Sequence, residues 1–131
     1  MREILFRGKR LDNGDWVYGY YVHIGPVSCQ RAYIIPEYAS SLYVNEVDPS
    51  TVGQYTGLND KHGKRIFEGD IAKVLQGKDK DIAYVGFENG AFMLYPKTGN
   101  IYERTLWEYW YNDWDVEVIG NITDNPELLE K

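Results

Sequence analysis

The chain has 131 residues, of which 44% are apolar, and this suits one domain or two small lobes that share a core. Its net charge is −6. Residues 1–102 hold 12 acidic and 12 basic side chains, whereas residues 103–131 hold eight acidic and two basic ones, so the excess negative charge lies in the last part of the chain. This distribution argues against a protein that binds a phosphate backbone along a basic stripe. No apolar run approaches the roughly 20 residues of a membrane helix.

The first predicted element is a β-hairpin in the stretch EILFRGKRLDNGDWVYGYYV. Asn13 and Gly14 both tolerate positive φ, as a tight turn requires. In the strand that follows, alternate residues place apolar side chains on both faces, so we expect this strand to be covered on both sides. The basic residues before the turn are candidate nucleic-acid contacts, although a solvated strand edge explains them better: Arg7, Lys9 and Arg10.

The stretch RAYIIPEY predicts a short strand that Pro36 ends or holds at a sheet edge. A weaker strand pattern in SLYVNEVDPSTV includes a turn at Asp48 and Pro49, and IGPVSCQ, which directly precedes RAYIIPEY, is predicted to be an exposed loop. Cys29 in that loop is the single cysteine, so no intramolecular disulfide can form, which fits a reducing cytoplasm. The first ten residues, MREILFRGKR, lack the apolar segment of a signal peptide.

Three further strands are predicted in DIAKVLQ, IAYVGF and AFMLY. The polar stretch GKDKD separates the first two, Asn89 and Gly90 predict a hairpin after the second, and PKTGN predicts a turn after the third. Short strands with tight turns every 8–12 residues indicate a small barrel or sandwich. The 12 Tyr, four Trp and four Phe favour the same mainly β class.

Residues 103–111 are ambiguous. The large apolar side chains between 106 and 114 recur with helical spacing, but their aromatic content favours a strand, and we slightly prefer the strand. Residues 115–122 alternate as a strand does. The ending TDNPELLEK predicts one or two helical turns, with Asp124 or Asn125 as the cap and Pro126 in the first turn.

Three stretches together resemble the YopX family of small proteins encoded by bacteriophages and prophages: FRGKRLDNGDWVYGYYV, TVGQYTGLNDKHGKRIFEGDI and VEVIGNITDNPELL. The resemblance extends from Phe6 to Leu129. It implies a β-rich N-terminal part over residues 1–52, and an SH3-like small barrel with a short C-terminal helix over residues 53–131. A barrel of this size is filled by its own side chains, so any site should lie on loops or an outer face. The family defines no catalytic residue, so none transfers to this chain.

The polar residues of the middle stretch allow two interpretations. On a strand, Glu68 and Asp70 would share a face and could hold a metal or act as an acid–base pair with His62. Gly69 instead favours a turn, in which Asp70 accepts hydrogen bonds from turn amides. The candidate alternative polar site contains Asp60, His62, Glu68 and Asp70. We expect no metal or other cofactor, because His23 and His62 have no accompanying zinc ligands.

The candidate interaction surface is an aromatic cluster formed by Trp107, Trp110, Tyr111 and Trp114. These rings could stack on bases, sugars or a partner's side chains. The preferred interpretation is that they fill the barrel and its contact with the N-terminal lobe, or form a subunit interface. The neighbouring acidic residues would repel a nucleic acid.

The sequence therefore predicts a cytoplasmic, non-enzymatic phage accessory protein that binds a host or phage protein and forms a homo-oligomer. One alternative is a nucleic-acid-binding SH3-like module, which is a fold-level analogy. The other is a hydrolase that uses Glu68 and Asp70.

Overall fold

The computed structural model describes residues 2–26, 31–37 and 44–130. The chain forms two compact units, residues 1–55 and residues 56–131. Both are built from antiparallel strands, so the predicted mainly β class is confirmed. Cys29 and most of the predicted loop around it lie outside the described residues. In the described ranges, no helix has the length and apolar character needed to cross a bilayer.

The first unit is a sheet with the strand order β4-β3-β2-β1-β5. The predicted hairpin joins β1 to β2 and is confirmed, because Gly14 has a φ of 73° and the Arg10 N–H donates to the Asp15 carbonyl at 2.9 Å. A 3₁₀ helix over Pro49–Thr51 precedes the last strand and is capped by Asp48. The strands are β1 (Phe6–Lys9), β2 (Trp16–Ile24), β3 (Arg31–Pro36), β4 (Asn45–Val47) and β5 (Gly53–Asn59).

The expectation that both faces of β2 are covered is wrong. Val17 and Gly19 are buried, whereas Tyr18 is 38% exposed and Tyr20 is 55% exposed. One face of the strand packs on a small apolar core, and tyrosine can occupy the other face because its hydroxyl remains hydrated. The core consists of Val17, Ala32, Ile34 and Val47, with Phe6, Tyr21 and Val52 packed against it.

The second unit contains the end of β5, a short strand beside it, and a five-stranded sheet with the order β10-β9-β8-β7-β11. The hairpin between β8 and β9 is confirmed, with positive φ at Asn89 (53°) and Gly90 (81°). The turn predicted over GKDKD is shorter in the structure than expected, because β8 already begins at Asp79. The strands are β6 (Arg65–Phe67), β7 (Asp70–Gln76), β8 (Asp79–Glu88), β9 (Ala91–Pro96), β10 (Arg104–Thr105) and β11 (Asp115–Asn121).

Small aliphatic side chains on alternate positions of these strands form the core of the second unit. Ala72, Val74, Ala83 and Leu94 are fully buried, and Val85 is nearly so. The core is completed by Ile66, Ile101, Leu106, Tyr109 and Val116. Side chains of the unit itself thus fill the space between its strands, so any site for another molecule would lie on the outside.

The slight preference for a strand over 103–111 holds only for Arg104–Thr105, which form β10, and is wrong for Leu106–Tyr111, which form a six-residue helix, α1. The Thr105 hydroxyl accepts a hydrogen bond from the Glu108 N–H at 3.1 Å and so satisfies one of the free amides at the helix start. Leu106 and Tyr109, three residues apart, face the core.

The predicted C-terminal helical turn is present as a 3₁₀ helix over Pro126–Leu129. Its N-cap residue is Asn125, but the Asn125 side chain accepts instead from the Asn121 N–H at 3.2 Å.

Candidate functional site

The C-terminal end of α1 is held by a Schellman motif. The Trp114 N–H donates to the Tyr109 carbonyl at 3.1 Å, and the Asp113 N–H donates to the Trp110 carbonyl at 3.3 Å. Asp113 takes the left-handed position, with a φ of 59°, that glycine usually occupies. The Trp114 and Tyr109 rings meet edge to face, with centroids 5.1 Å apart, and supply the apolar contact typical of this motif. The end of the helix is therefore anchored to the core.

The outer side of the same helix carries large aromatic rings. Trp107 is 55% exposed, Trp110 is 51% exposed and Tyr111 is 64% exposed. The expectation that these rings fill the barrel is therefore wrong for these three residues. It holds for Trp114, which packs against the core of the second unit. We call Trp107, Trp110 and Tyr111 the aromatic face.

Trp107 and Tyr111 lie one helical turn apart and stack on each other. Their ring centroids are 4.9 Å apart and their planes differ by 21°. Contacts between residues at i and i+4 of a helix fix the two rings relative to the backbone. The stack restricts the rotamers of both rings in the free protein. Binding of a partner to these rings therefore costs less side-chain entropy.

An apolar groove of about 370 Å³ adjoins Trp107. Phe92 on β9 lines this groove, and its ring meets that of the exposed Phe87 edge to face at 5.1 Å. The groove has no charged side chain in its lining, which consists of Thr56, Gly57, Leu58, Ala91, Phe92, Thr105, Leu106 and Trp107.

A second groove, of about 530 Å³, adjoins the other member of the stack, Tyr111. We call it the acidic groove, because Asp113 and Asp115 are both exposed on its wall. Its other lining residues are Asn59, Asp60, Lys61, Trp110, Trp114 and Val116. Trp107 and Tyr111 thus link one uncharged and one negatively charged depression.

Asp60 is buried beside the acidic groove and has a structural role. Its carboxylate accepts hydrogen bonds from the backbone N–H groups of His62 and Lys64, both at 2.9 Å, and of Val118 at 3.0 Å. Burial alone would raise the pKa of Asp60, but these hydrogen bonds favour the ionised form and hold its pKa below the usual value. Asp60 therefore stays charged while its oxygens are engaged by the turn and by β11.

The family model described as YopX protein matches residues 5–130, nearly the whole chain. The chain belongs to the YopX family. No curated protein matches it. The crystal structure of protein EF1440 from Enterococcus faecalis is similar to this chain, with a TM-score of 0.55 and 21% identity over 99% of this chain and 100% of that chain. At this identity the likeness concerns the fold.

The other polar residues predicted as an alternative site differ in their burial in this YopX family member. Asp70 is buried and accepts a hydrogen bond from the Phe67 N–H at 2.8 Å, the turn-amide contact expected for it. His62 is exposed, and its Nε2 lies 3.1 Å from the Glu117 carboxylate. Glu68 is half-buried. Over the described ranges, no group of three or more His, Cys, Asp or Glu side chains is arranged to hold a metal ion.

The three basic residues proposed as nucleic-acid contacts do not form an exposed trio. Arg7 is buried, with its guanidinium 4.7 Å from the centroid of the Trp16 ring, so it is wrong as an exposed phosphate contact. Lys9 Nζ lies 5.8 Å from the centroid of the same ring. Arg10 pairs with Asp12 at 2.7 Å. Interactions within the hairpin thus occupy this part of the YopX fold.

No role is predicted from the sequence for one acidic residue that is important in the structure, Asp81. Asp81 on β8 is buried and accepts hydrogen bonds from the Thr98 hydroxyl at 2.8 Å and from the Asn100 N–H at 3.1 Å. Burial alone would raise the pKa of Asp81, but these hydrogen bonds lower it. The polar composition of GKDKD indicates a solvated turn and gives no sign that Asp81 is buried. The only sequence signal for its role is the turn PKTGN, whose backbone N–H groups require an acceptor.

Proposed function

We propose that this chain is a non-enzymatic phage or prophage accessory protein that binds proteins and self-associates through the surface around α1. The observation that carries the proposal is the aromatic face, in which three large rings project from one short helix at more than half exposure. Exposed aromatic patches next to grooves are typical of protein interfaces, where burial of the rings supplies most of the affinity.

The apolar groove supports self-association. When two copies bring Trp107 and Phe92 together, no charged side chain of the groove lining is removed from water. Desolvation of charged groups is a main unfavourable contribution at polar interfaces, and this contact avoids it. Trp107 is the large ring that lines this groove and also belongs to the aromatic face. We therefore assign Trp107 as the central residue of the contact between copies.

The structural roles of the buried carboxylates support a non-enzymatic function. A hydrolase needs a carboxylate that can reach a substrate, but backbone amides already engage the oxygens of Asp60, and the Phe67 N–H engages Asp70. Membership of the YopX family supports the phage or prophage origin. The single cysteine fits a cytoplasmic location in the host. The family has no defined activity, and the support for the proposed function comes from the surface around α1.

Light scattering over a concentration series tests this proposal. The wild-type mass should rise above the 15.2 kDa of one chain. The variant Trp107→Ala should need about tenfold higher concentration to associate, the effect of removing one strong interface residue. Tyr20→Ala is the matched control, because Tyr20 is an aromatic residue of equal exposure in the first unit, and it should behave as wild type. A wild-type chain that stays monomeric, or a W107A variant that associates as well as Y20A, would contradict the proposal.

A further inference from the structure

The acidic groove retains negative charge that the protein itself does not neutralise. Its lysine, Lys61, has its Nζ 4.0 Å from the Glu117 carboxylate. Asp60 is engaged by backbone amides. The side chains of Asp113 and Asp115 are exposed, and within the described part of the chain neither forms an ion pair or accepts a hydrogen bond. Two carboxylates on this wall are therefore available to an incoming cation.

Aromatic faces lie on the same groove. Trp110 and Tyr111 line it from the exposed side of α1, and the half-buried Trp114 lines it from a position three residues beyond the end of the helix. The faces of tryptophan and tyrosine rings attract cations, with an energy of about 0.5–1 kcal/mol at exposed sites. The rings are held in place, because the Schellman motif fixes Trp114 and the stack with Trp107 fixes Tyr111.

We infer that the acidic groove binds an arginine side chain presented by a basic segment of a partner protein. The inference rests on the proposed function and deepens it by naming the chemistry of the partner. A guanidinium group is planar and can stack on an indole or phenol ring while its N–H groups donate to carboxylates. The groove offers both kinds of contact, and its volume of about 530 Å³ lies within the usual range of binding pockets.

Other occupants fit the groove less well. A nucleic acid could stack on the rings, but its phosphates would meet Asp113 and Asp115. A neutral sugar could also stack, but it would leave both carboxylates without a cation. A second copy of this chain that apposed the same groove would bring four carboxylates together, which disfavours the acidic groove as the contact between copies.

Peptide titrations followed by NMR test the inference on the full-length chain. The probe is a blocked glycine-serine peptide with spaced arginines, and the control probe has citrulline, a neutral isostere, at each arginine. The arginine peptide should shift the indole N–H signals of Trp110 and Trp114 and bind at least about fivefold more tightly than the citrulline peptide. Equal affinity for the two peptides, or no shift of these signals, would overturn the inference.

Two double variants separate the groove from the general acidity of the chain. D113N/D115N removes both groove charges, and asparagine tolerates the left-handed conformation at position 113. E127Q/E130Q removes the same number of charges from exposed positions at the C-terminal 3₁₀ helix. The first variant should weaken the arginine peptide about fivefold to tenfold, and the second less than twofold. If both double variants weaken binding of the arginine peptide equally, only long-range attraction by the net charge of the chain acts on the peptide, and the inference is overturned.

The outcomes for this inference and for the proposed function can be distinguished. If wild-type chains associate through Trp107 but the arginine peptide does not bind, the inference fails and self-association stands. If the peptide binds at the acidic groove while the chain stays monomeric at all concentrations, self-association fails and the arginine site stands. Circular dichroism of each variant confirms that a loss of binding does not come from unfolding.

Discussion

Asp60 and Val118 are joined across 58 positions of the chain by a hydrogen bond of 3.0 Å from the Val118 N–H to the Asp60 carboxylate. The adjacent Lys61 N–H donates to the Val116 carbonyl, also at 3.0 Å. Val116 and Val118 lie on β11, an edge strand of its sheet, so these two bonds occupy part of its outer edge. A covered edge does not recruit strands from other molecules. Strand addition is therefore blocked at this part of β11, and the surface that we propose for a partner lies on the neighbouring helix α1.

Replacing Asp60 should destabilise the second unit. Asp60→Ala leaves three backbone N–H groups without their acceptor and should lower the free energy of unfolding by about 2–4 kcal/mol. Urea denaturation measures the change. Asp12→Ala is the control, because Asp12 is exposed and pairs with Arg10 on the surface; it should change the free energy by less than about 0.5 kcal/mol. A D60A variant as stable as D12A would show that the three hydrogen bonds contribute little.

Acid should destabilise the protein through Asp60 and Asp81. Both have a folded-state pKa below the unfolded value of 3.8, so the unfolded chain takes up protons first as the pH falls. The stabilisation is therefore complete above the unfolded pKa and is lost as the pH falls through the folded pKa. The melting temperature, followed from about pH 6 to about pH 2, should fall steeply below about pH 4. The double variant D60N/D81N should melt lower at pH 6 and show a shallower decrease, and a slope equal to that of wild type would argue against these two carboxylates.

Glycine at position 113 should stabilise α1. Asp113 has a φ of 59°, and glycine adopts this region without the steric penalty of a Cβ atom. Asp113→Gly should raise the free energy of unfolding by about 0.5–1 kcal/mol, read from chemical denaturation. Asp115→Gly, at the first position of β11, should lower it, because glycine loses more backbone freedom on folding than any other residue. If both glycine variants lose stability, the strain assigned to Asp113 is absent.

Gly19 on β2 should not tolerate a side chain. A Cβ atom added there would collide with the backbone carbonyl of Ile35 on the neighbouring strand β3, and a backbone atom cannot move aside as a side chain can. Gly19→Ala should therefore lower the free energy of unfolding by about 3 kcal/mol. Gly14→Ala is the comparison: its Cβ would meet no atom within 4 Å, and only its φ of 73° is unfavourable, so the expected loss is about 1 kcal/mol. A smaller loss at Gly19 than at Gly14 would contradict the close approach of the two strands.

The hairpins can be predicted from local sequence, whereas the surroundings of the site residues depend on contacts between residues far apart in the chain. Asn13-Gly14 and Asn89-Gly90 carry their own turn preference, so both turns occur where expected. The spacing of the large side chains indicates helix α1, but their aromatic content favours a strand on average. Thr105 and Glu108, a recognisable helix-start pair, are the local signal that favours the helix. The buried roles of Asp60 and Asp81 depend on partners far along the chain, Val118 and Thr98, which no local pattern reveals.

The most direct test of the central claim, that the surface around α1 binds proteins, is ¹⁹F NMR of the chain labelled with 5-fluorotryptophan. The four tryptophans give four signals, which are assigned with single tryptophan-to-phenylalanine variants. On concentration, the signal of Trp107 should shift and broaden as copies associate, while that of Trp16 in the first unit stays unchanged. Signals that do not change with concentration, or a change confined to Trp16, would contradict the account.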